Sequence, residues 1–246
     1  MGTIIAIGGG ELSSESGHYL HSEIIKHSKS NNPKVLFIPT ASYDNKDYII
    51  SFKNMFEKKL SCKVDVLSLV ERNYSSEEIE EMIFSNDIIY VGGGNTDYMM
   101  SVWRHYSLDK LLIEAFDRGI VLSGLSAGAV CWFDFIQSGM DSYESTETDS
   151  YKRLDGLGLI RGYGCSHFNQ KSRNSSFQEM IYNYKGEGFG ICDNSALIYK
   201  DGNYKVITTD NRKGVYKVVY SDSFVKKMKL QLNIDFMNYV SAVDRT

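Results

Sequence analysis

The sequence predicts an α/β protein whose mostly parallel sheet is flanked by helices on both faces, with a short antiparallel extension in the C-terminal third. Three observations carry this. Short apolar runs alternate with longer helical patterns from residue 3 to about residue 135, as βαβ crossovers require. Several of those runs end in glycine-rich turns, where a chain leaves a buried strand. Beyond about residue 140 the helical stretches give way to short strand-like runs, two of them joined by Asp201-Gly202, a hairpin signal.

Taken in order, residues 3–7 read as a strand ending in Gly8-Gly9-Gly10, and residues 17–29 as a helix with Leu20, Ile24 and Ile25 on one face. Residues 34–38 form the next strand, stopped by Pro39-Thr40-Ala41-Ser42. A helix through Ile49, Phe52, Met55 and Phe56 leads to a strand at 64–67. Ser75-Ser76-Glu77-Glu78 is an N-cap pattern opening a short helix with Ile79, Met82 and Ile83. A strand at 87–91, the turn Gly92-Gly93-Gly94-Asn95, helices over about 97–117 and a strand at 120–123 complete the first half. Residues 140–155 are polar and without apolar periodicity, so they read as a loop, and a segment of that kind can gate a cleft. Residues 188–192, 196–200, 204–208 and 215–220 read as strands of antiparallel character. With two prolines, no Ser/Gly linker and no internal repeat, nothing marks a boundary, and residues 1–246 read as one domain.

Composition narrows the function. The chain is 42% apolar and 24% charged, with 27 Lys+Arg against 31 Asp+Glu and a net charge of −4, which excludes bulk disorder. The mildly acidic balance and the lack of a basic run argue against a nucleic-acid partner. No stretch approaches the length of a membrane span, and the N-terminus lacks a basic, apolar leader. Cys62, Cys131, Cys165 and Cys192 are scattered without Cys-x-x-Cys spacing, which points to reduced thiols, a cytoplasmic setting and no metal.

The stretch Gly124-Leu125-Ser126-Ala127-Gly128 has the form Gly-x-Ser-x-Gly, after a buried strand and before an apparent helix at 129–132. That is the context of a nucleophile elbow, in which the serine takes a strained turn and its glycine neighbours permit close packing. Its hydroxyl would project at a helix N-terminus, where a backbone N–H and the helix dipole favour an oxyanion. A serine nucleophile needs a base. Of the five histidines, His21 and His27 fall on a polar helical pattern and read as solvated, whereas His167 follows an apolar run in a Gly/Ser-rich segment and is the best candidate. The carboxylate that would orient it is Asp193 or Asp141, and spacing alone does not choose. The triple glycine at 92–94 could present N–H groups to an oxygen, or could be a tight turn capped by Asn95 or Thr96. Gly8-Gly9-Gly10 lacks the third glycine of a dinucleotide fingerprint, with Ser13 in its place, so no such cofactor is expected.

Ala6-Ile7-Gly8-Gly9-Gly10, Tyr90-Val91-Gly92-Gly93-Gly94-Asn95-Thr96, Gly124-Leu125-Ser126-Ala127-Gly128-Ala129 and Ser166-His167-Phe168 resemble, in this order, the aspartyl dipeptidase (dipeptidase E) and cyanophycinase family of serine peptidases. The resemblance spans roughly residues 3–200. It implies a fold similar to class I glutamine amidotransferases, with Ser126 as nucleophile and His167 as base. It further implies an oxyanion hole from the backbone of Gly93 or Gly94 and of Ala127, and no metal or organic cofactor. Gly190-Ile191-Cys192-Asp193-Asn194 resembles the segment bearing the family's glutamate, which favours Asp193 over Asp141 as the acid. The side chain is then one methylene shorter, so the histidine or its strand must sit closer. Asn95 and Arg173 are the candidate substrate-binding residues; Arg173 lies near the family's arginine-bearing segment and would pair with the aspartate of an Asp-X dipeptide. The expected partner is therefore a small peptide substrate, and the enzyme is expected to be a monomer or homodimer. A hydrolase of another acyl substrate (a β-linked peptide or an ester) and a non-catalytic binding module on the same fold are the alternatives.

Overall fold

The computed structural model describes residues 1–139 and 151–231. Five strands, β1 (Thr3–Ile7), β2 (Lys34–Ile38), β3 (Lys63–Val66), β4 (Ile88–Val91) and β5 (Val121–Leu125), pair in parallel in the order β1-β5-β4-β2-β3. Two more, β10 (Ser195–Lys200) and β11 (Asn203–Thr208), add to the β1 edge antiparallel, from Thr3↔Lys200 to Ile7↔Ala196.

Strand periodicity sends successive side chains to opposite faces. Ile4, Ala6, Leu36, Ile38, Ile89 and Val91 face one buried cluster, and Ile5, Ile7, Val35, Phe37, Ile88 and Tyr90 face another. Helices α3 (Ser76–Phe84), α4 (Thr96–His105) and α5 (Leu108–Asp117) cover the first face through Ile79, Ile83, Met99, Trp103, Leu112 and Phe116. Helices α1 (Glu15–Ile25) and α2 (Lys46–Lys53), the latter continuing into a π-helical turn at Asn54–Lys59, cover the second through Leu20, Ile24, Phe52 and Phe56. The Ser75 cap is a full capping box with Glu78, as its sequence pattern requires.

A second sheet is present that the sequence had not separated from the first. It orders as β13-β12-β9-β8-β6-β7, comprising β6 (Phe133–Gly139), β7 (Tyr151–Asp155), β8 (Ile160–Cys165), β9 (Glu187–Ile191), β12 (Val215–Ser221) and β13 (Phe224–Lys229). β8 runs parallel to both β6 and β9, and the other pairings are antiparallel. Trp132, Phe133, Ile136, Phe189, Ile191 and Val215 join the cluster beneath α3–α5. Helix α7 (Lys171–Tyr184) packs Phe177, Met180 and Ile181 with Tyr163, Cys165 and Val218.

Several sequence expectations change here. Residues 151–155 of the expected loop are strand β7; 140–150 lie outside the described residues. The strands at 187–191 and 195–200 do not form one antiparallel run, because the chain passes from one sheet to the other between them. β6 and β8 escaped detection because polar residues and glycines interrupt their apolar runs. Asp134 accepts the Gly162 N–H, Gln137 accepts the Cys165 thiol, and a side chain at 164 would strike the Phe133 ring. The helix expected at 129–132 is a single turn, α6 (Ala127–Val130), and the first helix ends at Ile25 rather than 29. All four cysteines are buried and unpaired. Among the described residues no helix is long and apolar enough to cross a membrane.

Candidate active site

In open α/β sheets the crevice beyond the carboxyl ends of the strands is the usual ligand site. Here the end of β1 organises it. Three successive carbonyls, of Ile7, Gly8 and Gly9, accept the backbone N–H groups of Ser126, His167 and Asn194 at 3.0, 3.0 and 2.8 Å. One chain end thus ties down three segments that are far apart in sequence.

Ser126 follows β5 at φ 56°, ψ −108°, outside the comfortable range for a residue with a side chain. Its flanking glycines are obligatory. A Cβ on Gly124 would lie 2.3 Å from the Gly128 carbonyl oxygen, and one on Gly128 would lie 2.2 Å from that of Val91. The strain turns the hydroxyl toward His167, and Ser126 Oγ lies 2.8 Å from His167 Nε2. His167, after β8 and also at positive φ (52°), places Nδ1 2.6 Å from Asp193 Oδ1. A carboxylate only accepts, so Nδ1 carries the proton and Nε2 is left to accept from the serine. Asp193 follows β9, and its other oxygen accepts the Asn169 side-chain amide at 2.8 Å while its backbone N–H donates to Asn169 Oδ1 at 2.7 Å. Burial acts to raise the Asp193 pKa, but the hydrogen bonds from His167 and Asn169 outweigh it and hold the carboxyl below its ordinary value. The imidazole and carboxylate side chains are 24% and 21% exposed, so a substrate can reach them.

Residues 4–207 match the model of peptidase family S51. The chain belongs to that family. It is 32% identical over 237 residues to the uncharacterized peptidase YgaJ of Bacillus subtilis, a match covering 94% of this chain and 97% of that one. It is 28% identical over 178 residues to the uncharacterized peptidase Lmo0363 of Listeria monocytogenes, covering 70% and 80%. Among solved structures it is similar to a peptidase from an acI-B1 Actinobacterium, with a TM-score of 0.69, 18% identity and coverage of 95% and 96%. The fold is shared, and the S51 chain is a serine-type peptidase, as its family implies.

Around this S51 serine the remaining expected residues fall as follows. A Cβ on Gly93 would sit 3.3 Å from Ser126 Cβ, so the triple-glycine turn flanks the hydroxyl. The Gly93 N–H donates to the Tyr48 hydroxyl at 3.3 Å, whereas those of Gly94 and Ala127 have no acceptor among the described residues. Because α6 is a single turn, the donor offered there is the Ala127 amide itself rather than a helix dipole. Asn95 caps α4 by accepting the Tyr98 N–H, and its side-chain amide donates to the exposed Tyr43 hydroxyl. Arg173, in the first turn of α7, lies over the Tyr151 ring at 4.9 Å and beside Gly139. No carboxylate among the described residues is within ion-pair distance of it. Asp141 is outside the described residues.

Sequence reasoning missed Asn169, which only the fold brings to Asp193. It counted Gly8-Gly9-Gly10 in the family resemblance and rejected it as a dinucleotide site but gave it no role, whereas a Cβ on Gly9 would lie 2.0 Å from Asp193 Oδ1. The run of glycines was the available signal, and it marks close backbone approach rather than a nucleotide. His21 is not solvated: it is 1% exposed, bonded to the Gly17 carbonyl and, at 2.9 Å, to the Tyr90 hydroxyl. Among the described residues no cluster of His, Cys, Asp or Glu could hold a metal.

Proposed function

We propose that this S51 peptidase is an exopeptidase or dipeptidase that cleaves short peptides through an acyl-enzyme, with Ser126, His167 and Asp193 as its triad. The observation that carries the reading is the unbroken chain of hydrogen bonds from the Ser126 hydroxyl through His167 to Asp193. Ser126 Oγ attacks the scissile carbonyl as His167 Nε2 takes its proton, and Asp193 stabilises the imidazolium that forms. The Gly94 and Ala127 N–H groups, which have no acceptor among the described residues, receive the oxyanion. His167 then returns the proton to the leaving amine, and a water activated by the same base releases the acid.

Arg173 is the residue we assign to the substrate's carboxylate, which favours peptides with N-terminal aspartate. A guanidinium held on Tyr151, with no carboxylate among the described residues within ion-pair distance, is suited to that task. We assign Asn95, which closes the triple-glycine turn and donates to the Tyr43 hydroxyl, to substrate binding as well. Four buried thiols fit a reducing cytoplasm, and we read the partner as a small peptide substrate rather than a nucleic acid or membrane, and the enzyme as a monomer or homodimer.

The test is fluorophosphonate labelling of wild type, Ser126→Ala and His167→Ala, read by intact mass, followed by a dipeptide panel led by Asp-X substrates. Labelling lost in both variants, with Asp-X turnover, supports the reading. Unlabelled, inactive wild type would favour the binding-module alternative, and turnover of esters or β-linked peptides alone would favour the other acyl hydrolase.

A further inference from the structure

Three consecutive glycines give the 92–94 turn more backbone freedom than any other tripeptide would, and Gly94 sits at φ +142°, which side-chain-bearing residues rarely adopt. An oxyanion hole needs the opposite property, donors already fixed where the charge develops. Something must therefore hold this turn. Three hydrogen bonds do so: Gly92 N–H to the Ile38 carbonyl at 3.0 Å, Asn95 N–H to the Ala41 carbonyl at 2.7 Å, and between them Gly93 N–H to the Tyr48 hydroxyl. The outer two are backbone bonds to the end of β2 and the turn after it. The central one depends on a side chain.

We infer that Tyr48 is a positioning residue of the oxyanion hole: its hydroxyl, by accepting the Gly93 N–H, holds the triple-glycine turn so that the Gly94 N–H faces the reacting carbonyl oxygen. This rests on the serine-peptidase reading above. Tyr48 is built for the task. Its backbone N–H is capped by Asn45 at 2.9 Å, and its ring packs edge-on against Phe37 at 5.2 Å. The ring also lies so close to Gly92 that a Cβ there would meet it at 3.0 Å. The ring thus occupies the space that a side chain at 92 would take, and the hydroxyl is delivered to the next residue. Burial pushes the phenol pKa up, which keeps it neutral beside a site where negative charge develops. The partition of labour follows: the Gly93 amide is structural, and the Gly94 amide, with no acceptor among the described residues, is left for substrate.

Tyr48→Phe keeps the ring and removes only the acceptor. It is expected to lower kcat about tenfold with KM within about twofold, because the interaction lost matters in the transition state rather than in substrate binding. Fluorophosphonate labelling should slow by a similar factor, and the melting temperature should hold. Unchanged kcat and labelling, or a rise in KM alone, would overturn the inference. A second measurement uses wild type only: ¹⁵N–¹H spectra with and without a peptide boronate, whose adduct carries a tetrahedral oxyanion. The Gly94 and Ala127 amide signals should move strongly and that of Gly93 little. A Gly93 shift as large as that of Gly94 would make Gly93 itself a donor and refute the assignment, even if Tyr48→Phe fails to fold. Wild type that neither labels nor turns over removes the serine-peptidase reading and this inference together; labelled wild type with an unaltered Tyr48→Phe variant removes this inference alone.

Discussion

Gly9→Ala probes the site at its most crowded point. The added methyl would stand 2.0 Å from Asp193 Oδ1 and 2.5 Å from His167 Cε1 and Nδ1, each well inside van der Waals contact. The backbone cannot easily retreat, since the Gly8 N–H is bound to the Ser195 carbonyl and the carbonyls of Gly8 and Gly9 hold His167 and Asn194. The two side chains must give way instead, by an ångström or more, and the 2.6 Å bond between them lies directly in the methyl's path. Misplacement of a catalytic group by about 1 Å costs on the order of 10²-fold, and loss of the carboxylate that sets the imidazole tautomer costs about 10⁴-fold. Peptide turnover and fluorophosphonate labelling should therefore both fall by about 10²- to 10⁴-fold. Thermal unfolding followed by circular dichroism should shift far less, because the methyl intrudes on a solvent-accessible cleft rather than on either buried cluster. Wild-type labelling by a folded Gly9→Ala protein would refute the account of how β1 holds the triad.

Asn169→Ala removes one of the hydrogen bonds that depress the Asp193 pKa, so the carboxyl should titrate at higher pH when followed by ¹³C NMR, with kcat reduced about tenfold. Arg173→Ala should raise KM for Asp-X peptides at least tenfold while leaving fluorophosphonate labelling near wild type; equal KM values for Asp-X and Ala-X in both proteins would remove Arg173 from substrate recognition. Burial, partly opposed by the Gly17 carbonyl, pushes the His21 pKa down from 6.5 to about 4. The unfolded chain then binds the proton more readily, so stability present above pH 6.5 is lost as pH falls toward 4, by about 3 kcal/mol at the limit. Urea titrations from pH 7 to 4 should show that loss, and His21→Met should flatten it. Burial also pushes the Cys62 thiol up to about 11 and raises the other three, so alkylating reagents should modify the folded protein slowly and leave turnover intact.

What was legible in the sequence is what neighbouring residues decide among themselves. The parallel strands read as apolar runs because both faces are buried, and the Ser75 and Asn95 caps follow from local side-chain chemistry. The elbow around Ser126 was legible because its strain and its glycines lie within five residues. Tertiary structure decided whatever depends on two distant segments meeting. Phe133–Gly139 and Ile160–Cys165 become strands because each satisfies the other's polar groups, as Asp134 does for Gly162 and Gln137 for Cys165. His21 is buried because Tyr90, 69 residues away, lies at hydrogen-bonding distance from its ring. Asp193 reaches His167 with the shorter carboxylate because the carbonyls of Gly8 and Gly9 draw the histidine's segment and the aspartate's to one chain end. Asn169 and Tyr48 carry no motif at all. Each matters only through a hydrogen bond to a residue 24 or 45 positions away, and a bond of that kind exists only once the chain has folded.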